Sequence, residues 1–190
     1  MKTSTEITKS TKLKSIFLMA ILVVTSISCS DDDDPIAVDE EETITTMNVT
    51  LSTAGSADIV LQSRDLDGDG PEPPVLSVAN LAANTTYAGS IELLNETEDP
   101  AEDITVEVAE EDDEHQFFFS TSGAISQVTY DDEDGDGNPI GLSFILTTSD
   151  AGSGRLQITL RHEPKKPNDG TLADAGGETD IAQTFELTVE

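Results

Sequence analysis

The sequence predicts an all-β protein: a single antiparallel β-sandwich of seven to nine strands, Ig-like or transthyretin-like, with one short helix. Three observations carry that expectation. From Thr43 onward, short runs rich in Thr, Val, Ile and Phe are separated by Gly, Asp, Asn and Pro clusters at intervals of about 10 to 15 residues. Several runs alternate strictly, with Leu156, Ile158 and Leu160 on one side of a strand against Gln157, Thr159 and Arg161, and Phe185, Leu187 and Val189 against Glu186 and Thr188. One apolar face per strand calls for two sheets packed face to face. The roughly 150 residues of this pattern match the length of one domain.

Taken in order, residues 1–28 read as a secretory signal peptide. A basic start containing Lys2, Lys9, Lys12 and Lys14 precedes the apolar run IFLMAILVV, and small residues lead from there to Cys29. Nine apolar residues rise only about 14 Å as a helix, too little for a hydrocarbon core about 30 Å thick. Cys29 is the only cysteine, so no internal disulfide is available to it. The sequence Ser26-Ile27-Ser28-Cys29 resembles a bacterial lipobox, which implies that Cys29 carries the lipid of a lipoprotein. The following run, Ser30 to Asp34, resembles the acidic export signal of surface lipoproteins in Bacteroidota, which implies an outer-membrane location facing the cell exterior; the periplasmic face is the alternative. Residues 29–42 hold eight acids after Ser30 and few apolar side chains, and read as a disordered acidic tether.

The sandwich domain is expected over residues 43–190, with strands at residues 43–51, 58–64, 75–79, 85–94, 116–121, 125–130, 141–148, 155–161 and 183–189. Asp99-Pro100-Ala101-Glu102 has the form of a helix start, with an N-cap Asp, Pro at the first position and Glu at the third. A short helix is therefore expected after it, although the alternation of Ile104, Val106 and Val108 also suits a strand. The segment from Pro164 to about Gly177 reads as a long loop, either functional or mobile.

Charge argues against several partners. The chain has 39 Asp and Glu against 9 Lys and Arg, a net charge of −30. Beyond the first 14 residues there remain 38 acids and 5 bases, or −33. Such a surface repels phosphate backbones and anionic headgroups, so nucleic acid is not an expected partner.

Two acidic loops share the form D-x-D-G-D-G: Asp65, Asp67 and Asp69 in one, Asp132, Asp134 and Asp136 in the other. Alternate carboxylates beside glycines that permit φ > 0 could converge on Ca²⁺, the one cofactor the sequence suggests, with Glu72, Asp131 or Asn138 supplying further oxygens. The loops resemble the first half of an EF-hand. Leu76 and Ser143 stand where its closing Glu would be, and Asp-Gly is equally at home in plain hairpin turns. The only histidines, His115 and His162, each adjoin a carboxylate (Glu114, Glu163). If their strands were neighbours, two imidazoles and two carboxylates would form a Zn- or Cu-type site; otherwise they are ordinary surface or hydrogen-bonded side chains. No G-x-S-x-G, H-E-x-x-H or P-loop pattern is present, so no catalytic residue is expected and the protein is not expected to be an enzyme. The Asn48, Asn84 and Asn95 sequons are expected to be incidental in a bacterial lipoprotein.

The segments RDLDGDGP, NLAANTTY, DEHQFF, LRHEPKKPNDG and GGETDI resemble those of small acidic Bacteroidota lipoproteins often described as "type 1 periplasmic binding fold superfamily" proteins. That description implies two α/β lobes with repeated βαβ units, whereas the residues here call for a β-sandwich. Two functional expectations follow. The first is a noncatalytic binding module, lipid-anchored to the outer membrane, that captures a ligand or cation for an outer-membrane receptor. The second is a structural or adhesive surface domain whose acidic loops are solvated or stiffened by Ca²⁺.

Overall fold

A computed structural model describes residues 42–68 and 70–190; the expected signal peptide, Cys29, most of the expected acidic tether and Asp69 lie outside the described residues. Among the described residues there are ten strands and two short helices in two antiparallel sheets. The larger sheet contains β1 (Thr46–Ser52), β2 (Ile59–Arg64), β3 (Val75–Ser77), β4 (Thr86–Asn95), β5 (Glu102–Asp103), β7 (Ile125–Tyr130) and β8 (Ser143–Thr148). Its order is β3-β2-β1-β4-β8-β7, with β5 on β4. The smaller sheet runs β10-β9-β6, from β6 (His115–Gly123), β9 (Gly152–His162) and β10 (Glu178–Val189). The sandwich expected from alternation is thus the fold observed, with ten strands in place of seven to nine and two short helices in place of one, and no described helix is long and apolar enough to cross a membrane.

Alternation survives in the burial of each strand. In β4, Tyr87, Gly89, Ile91 and Leu93 face inward while Ala88, Ser90 and Glu92 face solvent. Met47, Val49 and Leu51 of β1 meet Leu156, Ile158 and Leu160 of β9 and Phe185, Leu187 and Val189 of β10 in one apolar cluster. The absence of Trp is offset by four large rings, those of Tyr87, Phe117, Phe144 and Phe185, each almost fully buried. The Tyr87 hydroxyl is not left unpaired: it accepts the Ala82 N–H at 2.8 Å.

The helix α1 (Ile104–Glu110) begins later than its sequence signal suggests. Asp103, not Asp99, is the N-cap, its carboxylate accepting the Thr105 N–H at 3.1 Å. The preceding residues are drawn off instead into β5, where Leu94 pairs with Asp103 and Asn95 with Glu102. Ile104 and Val108, four residues apart on one helical face, are buried, while Val106 stands exposed on the other. The long loop after β9 also holds more structure than its composition suggests. It contains α2 (Leu172–Ala175), capped by Thr171, and it is tied down by Lys165 to Asp174 at 3.0 Å and Asn168 to Gln116 at 2.7 Å.

Gly89 marks the tightest point of the core. A Cβ there would lie 2.4 Å from the Phe144 ring, which is itself buried and has nowhere to retreat. Gly89→Ala is expected to destabilise the domain by about 1–3 kcal/mol through overpacking, read as a lower urea midpoint with an unchanged slope.

Candidate metal centre

The two histidines are brought together by register. In the antiparallel pair β6·β9, His115 at the start of one strand lies directly opposite His162 at the end of the other. Their ring centroids are 4.8 Å apart. The adjacency that sequence could only pose as a condition is present, but the carboxylates that complete the group are mostly not the neighbours in sequence.

One is Asp180. Strand β10 pairs with β9 through Thr179↔Arg161 and then Ile181↔Leu160, so Asp180 is the extra residue of a β-bulge. A bulge re-aims a side chain that regular alternation would send elsewhere. Asp180 Oδ1 comes within 4.0 Å of His162 Nδ1, with its side chain 2% exposed. The other is Glu42, read from sequence as the last residue of the tether. It enters the domain just before β1 and places Oε1 3.3 Å from His115 Nε2, its side chain 4% exposed and that of His115 fully buried. Ligand atoms of Glu42, His115, His162 and Asp180 all lie within 4.8 Å of one another. Of the sequence neighbours, Glu114 approaches the second nitrogen of His162, 3.9 Å from Nε2. Glu163 joins only a more exposed group with Glu114 and His162.

Polar accounting makes this cluster unusual. The His115 ring lies with Nδ1 3.2 Å from the Glu111 carbonyl, a contact that requires the proton on Nδ1. Nε2, on the other side of the ring, faces the Glu42 carboxylate. Neither His115 Nε2 nor Glu42 Oε2 has a hydrogen-bond partner, although both are buried. Leaving such atoms unsatisfied costs about 1–3 kcal/mol each. A cation between them removes that cost. For a tetrahedral ion with N and O ligands at about 2.0–2.2 Å, donors stand roughly 3.3–3.5 Å apart; the His115 to Glu42 separation already has that value, whereas the His162 to Asp180 pair, 4.0 Å apart, has to close by about half an ångström. The Glu111 carbonyl supplies the outer hydrogen bond that fixes a ligating imidazole. Soft-to-borderline nitrogen with carboxylate oxygen suits Zn²⁺, Cu²⁺ or Ni²⁺ better than Ca²⁺.

The acidic loops are built differently from the convergent carboxylates the sequence suggests. In the second, Asp132 turns away to accept the N–H groups of Gly141 at 2.6 Å and Ser143 at 2.8 Å. Asp134 caps its own turn, accepting from the N–H groups of Asp136 and Asn138. It also meets Lys166 Nζ at 3.2 Å, in a pair whose side chains are 1% and 7% exposed. A lysine ammonium thus supplies the positive charge in this loop, and Asp136 contributes its backbone. In the first loop, Asp67 accepts the Glu72 N–H at 3.3 Å. A hydrogen bond with Asp67 holds the Asp65 carboxyl above its usual range, with desolvation adding to the effect. Among the described residues, no carboxylate of either loop belongs to a group of three ligand atoms close enough to share an ion. Competition from backbone donors explains this: an Asp in a tight turn satisfies nearby N–H groups before it serves a distant cation.

A cavity of about 460 Å³ adjoins the histidine centre. It lies where the start of β1 and the end of β2 face β10, and a hydrogen bond of 2.9 Å from Ser63 to Gln183 bridges the two sheets there. Glu42 and Asp180 belong to its wall as well as to the centre, and Asp65 of the first acidic loop stands on the same wall. Glu42 carried no sequence signal, because it closes a run of acids that resembles solvated tether. Asp180 carried a faint one, an acid interrupting the strand pattern before Ile181.

Burial pushes the Asp134 carboxyl up, but hydrogen bonds from Asn138, Lys166 and the Asp136 N–H outweigh it and hold the group at about 2. Being below its unfolded value, this pKa stabilises the fold above about pH 4, and the contribution disappears as pH falls from about 4 to 2. Wild type is therefore expected to lose its stability advantage over Asp134→Asn across that window; melts of both from pH 6 to pH 2 check this, and a constant difference in Tm would contradict it.

Searches of protein-family models, curated proteins and solved structures find no match to this chain.

Proposed function

We propose that the protein is a noncatalytic binding module, held on the outer membrane by a lipid on Cys29, whose cargo is a divalent transition-metal cation. The supporting observation is the buried group of Glu42, His115, His162 and Asp180, in which two buried polar atoms, His115 Nε2 and Glu42 Oε2, lack any hydrogen bond. Four strand-borne or strand-adjacent ligands on a sandwich form a rigid site, which favours selection by geometry and ligand softness over simple charge attraction. The lone cysteine after an apolar signal segment supports anchorage, and an outer-membrane receptor is the partner such a carrier would serve. Ca²⁺ has less support, because Asp132 and Asp134 are committed to backbone donors and Lys166.

Calorimetry on the detergent-solubilised lipoprotein, stripped with chelator, is expected to show one Zn²⁺ bound per chain. Saturating Zn²⁺ should raise Tm, since a ligand at 100 times its Kd adds about 2.7 kcal/mol. His115→Gln and the near-isosteric Asp180→Asn should each weaken binding at least tenfold while the far-UV circular dichroism stays that of wild type. Co²⁺ should give the visible absorption of a four-coordinate site. Absence of heat, Tm shift and Co²⁺ spectrum in the wild-type protein would overturn the proposal.

A further inference from the structure

The cavity beside the centre says in what form the cargo arrives, an inference that rests on the metal-binding reading above. Glu42 and Asp180 are shared between the cavity wall and the ligand group, so an ion leaving the cavity on that side meets two of its ligands directly. Asp65 adds a third carboxylate to the wall, and Asp67 lies beside it in the same loop. Among the described residues no Lys or Arg lines the cavity; its remaining polar groups are neutral, among them Thr43, Ser63 and Gln183. The buried Glu42 carboxylate, with Oε2 lacking a hydrogen bond, belongs to this wall, so the cavity leads to a group that needs a cation and is not merely an acidic surface.

Size agrees with charge. At about 30 Å³ per water, a divalent ion with a shell of about six waters occupies roughly 200 Å³, well within the cavity. The same walls oppose a metal brought as an anionic chelate: citrate, phosphate or another polycarboxylate complex would have to enter a carboxylate-lined space with no basic group to receive it. We infer that this cavity is the entry path of the centre, that it takes up the free hydrated dication, and that Asp65 steers the ion inward without ligating it.

Stopped-flow mixing of Zn²⁺ with the full-length lipoprotein, followed by a fluorescent zinc indicator, tests the inference. The wild-type association rate should fall several-fold between about 10 and 200 mM salt, as for other steered encounters. Asp65→Asn should slow association by about threefold or more and flatten that salt dependence, with the dissociation rate within about twofold of wild type. Ala182→Lys, which places a cation at the same wall, should slow it further. Loading from a rapidly equilibrating zinc citrate buffer should follow the free Zn²⁺ concentration alone and should not rise with chelate concentration at fixed free Zn²⁺. Unchanged association rates in both variants, or loading that rises with the chelate itself, would overturn the entry path while leaving the metal centre standing. A wild-type protein that binds no Zn²⁺ would instead overturn the centre.

Discussion

The antiparallel register between β6 and β9 is the constraint on which the site depends, because it sets His115 opposite His162 and simultaneously directs Phe117, Leu156, Ile158 and Leu160 into the core. A slip of one residue would send those apolar side chains to the other face and separate the imidazoles, so the hydrophobic core and the proposed metal centre call for the same alignment. Burial of several large side chains outweighs anything the polar residues contribute, at about 1.5–3 kcal/mol for each fully buried Leu, Ile or Phe. The centre therefore inherits its geometry from the core. Its own departure from regularity is confined to one inserted residue, the bulge at Asp180 on β10.

A chain with a charge of −30 must place its acids without tearing the domain apart. Many are simply solvated, but a subset is spent on backbone donors. Asp103 caps α1, Asp132 holds the N–H groups of Gly141 and Ser143, and Asp134 closes its turn. The scarce cations are matched to chosen acids: Arg64 to Glu96, Arg155 to Glu186, Lys165 to Asp174 and Lys166 to Asp134. Most of these pairs are exposed and contribute little. Lys166 with Asp134 is the exception, since both side chains are buried and the lysine also donates to the Asp112 carbonyl, fastening the loop after β9 to the second acidic loop. Against this background of satisfied acids, Glu42 is conspicuous: it is buried beside a histidine with one oxygen lacking a hydrogen bond.

The position of Glu42 also links the centre to the route by which the chain enters the domain. Glu42 lies four residues before β1, and residues 43–45 continue from it along the cavity wall into the strand. A metal held by Glu42 together with His115, His162 and Asp180 would join that entry segment to all three strands of the smaller sheet. Cargo binding and stiffening of the domain's first residues would then be one event, because the same coordination bonds accomplish both.

Alternating side chains determined the sandwich: a period of two is a local property, and runs such as 155–161 and 183–189 were legible from it as the cores of the longer strands β9 and β10. Net charge, a sum over residues that needs no fold, likewise argues against nucleic acid as a partner. Local signals misled where two local structures competed. Asp99-Pro100 has the chemistry of a helix cap, but strand pairing at Glu102 and Asp103 moved the helix start to Ile104. The D-x-D-G-D-G loops looked convergent because spacing alone does not reveal that backbone N–H groups and Lys166 will claim the carboxylates. The four-residue candidate centre shows the division most clearly. Sequence named the two histidines and the condition for their meeting. Only the tertiary structure could supply the meeting, along with Glu42 and Asp180, because residues 42, 115, 162 and 180 become neighbours through strand register and a bulge, and both depend on how distant segments bury their apolar faces together.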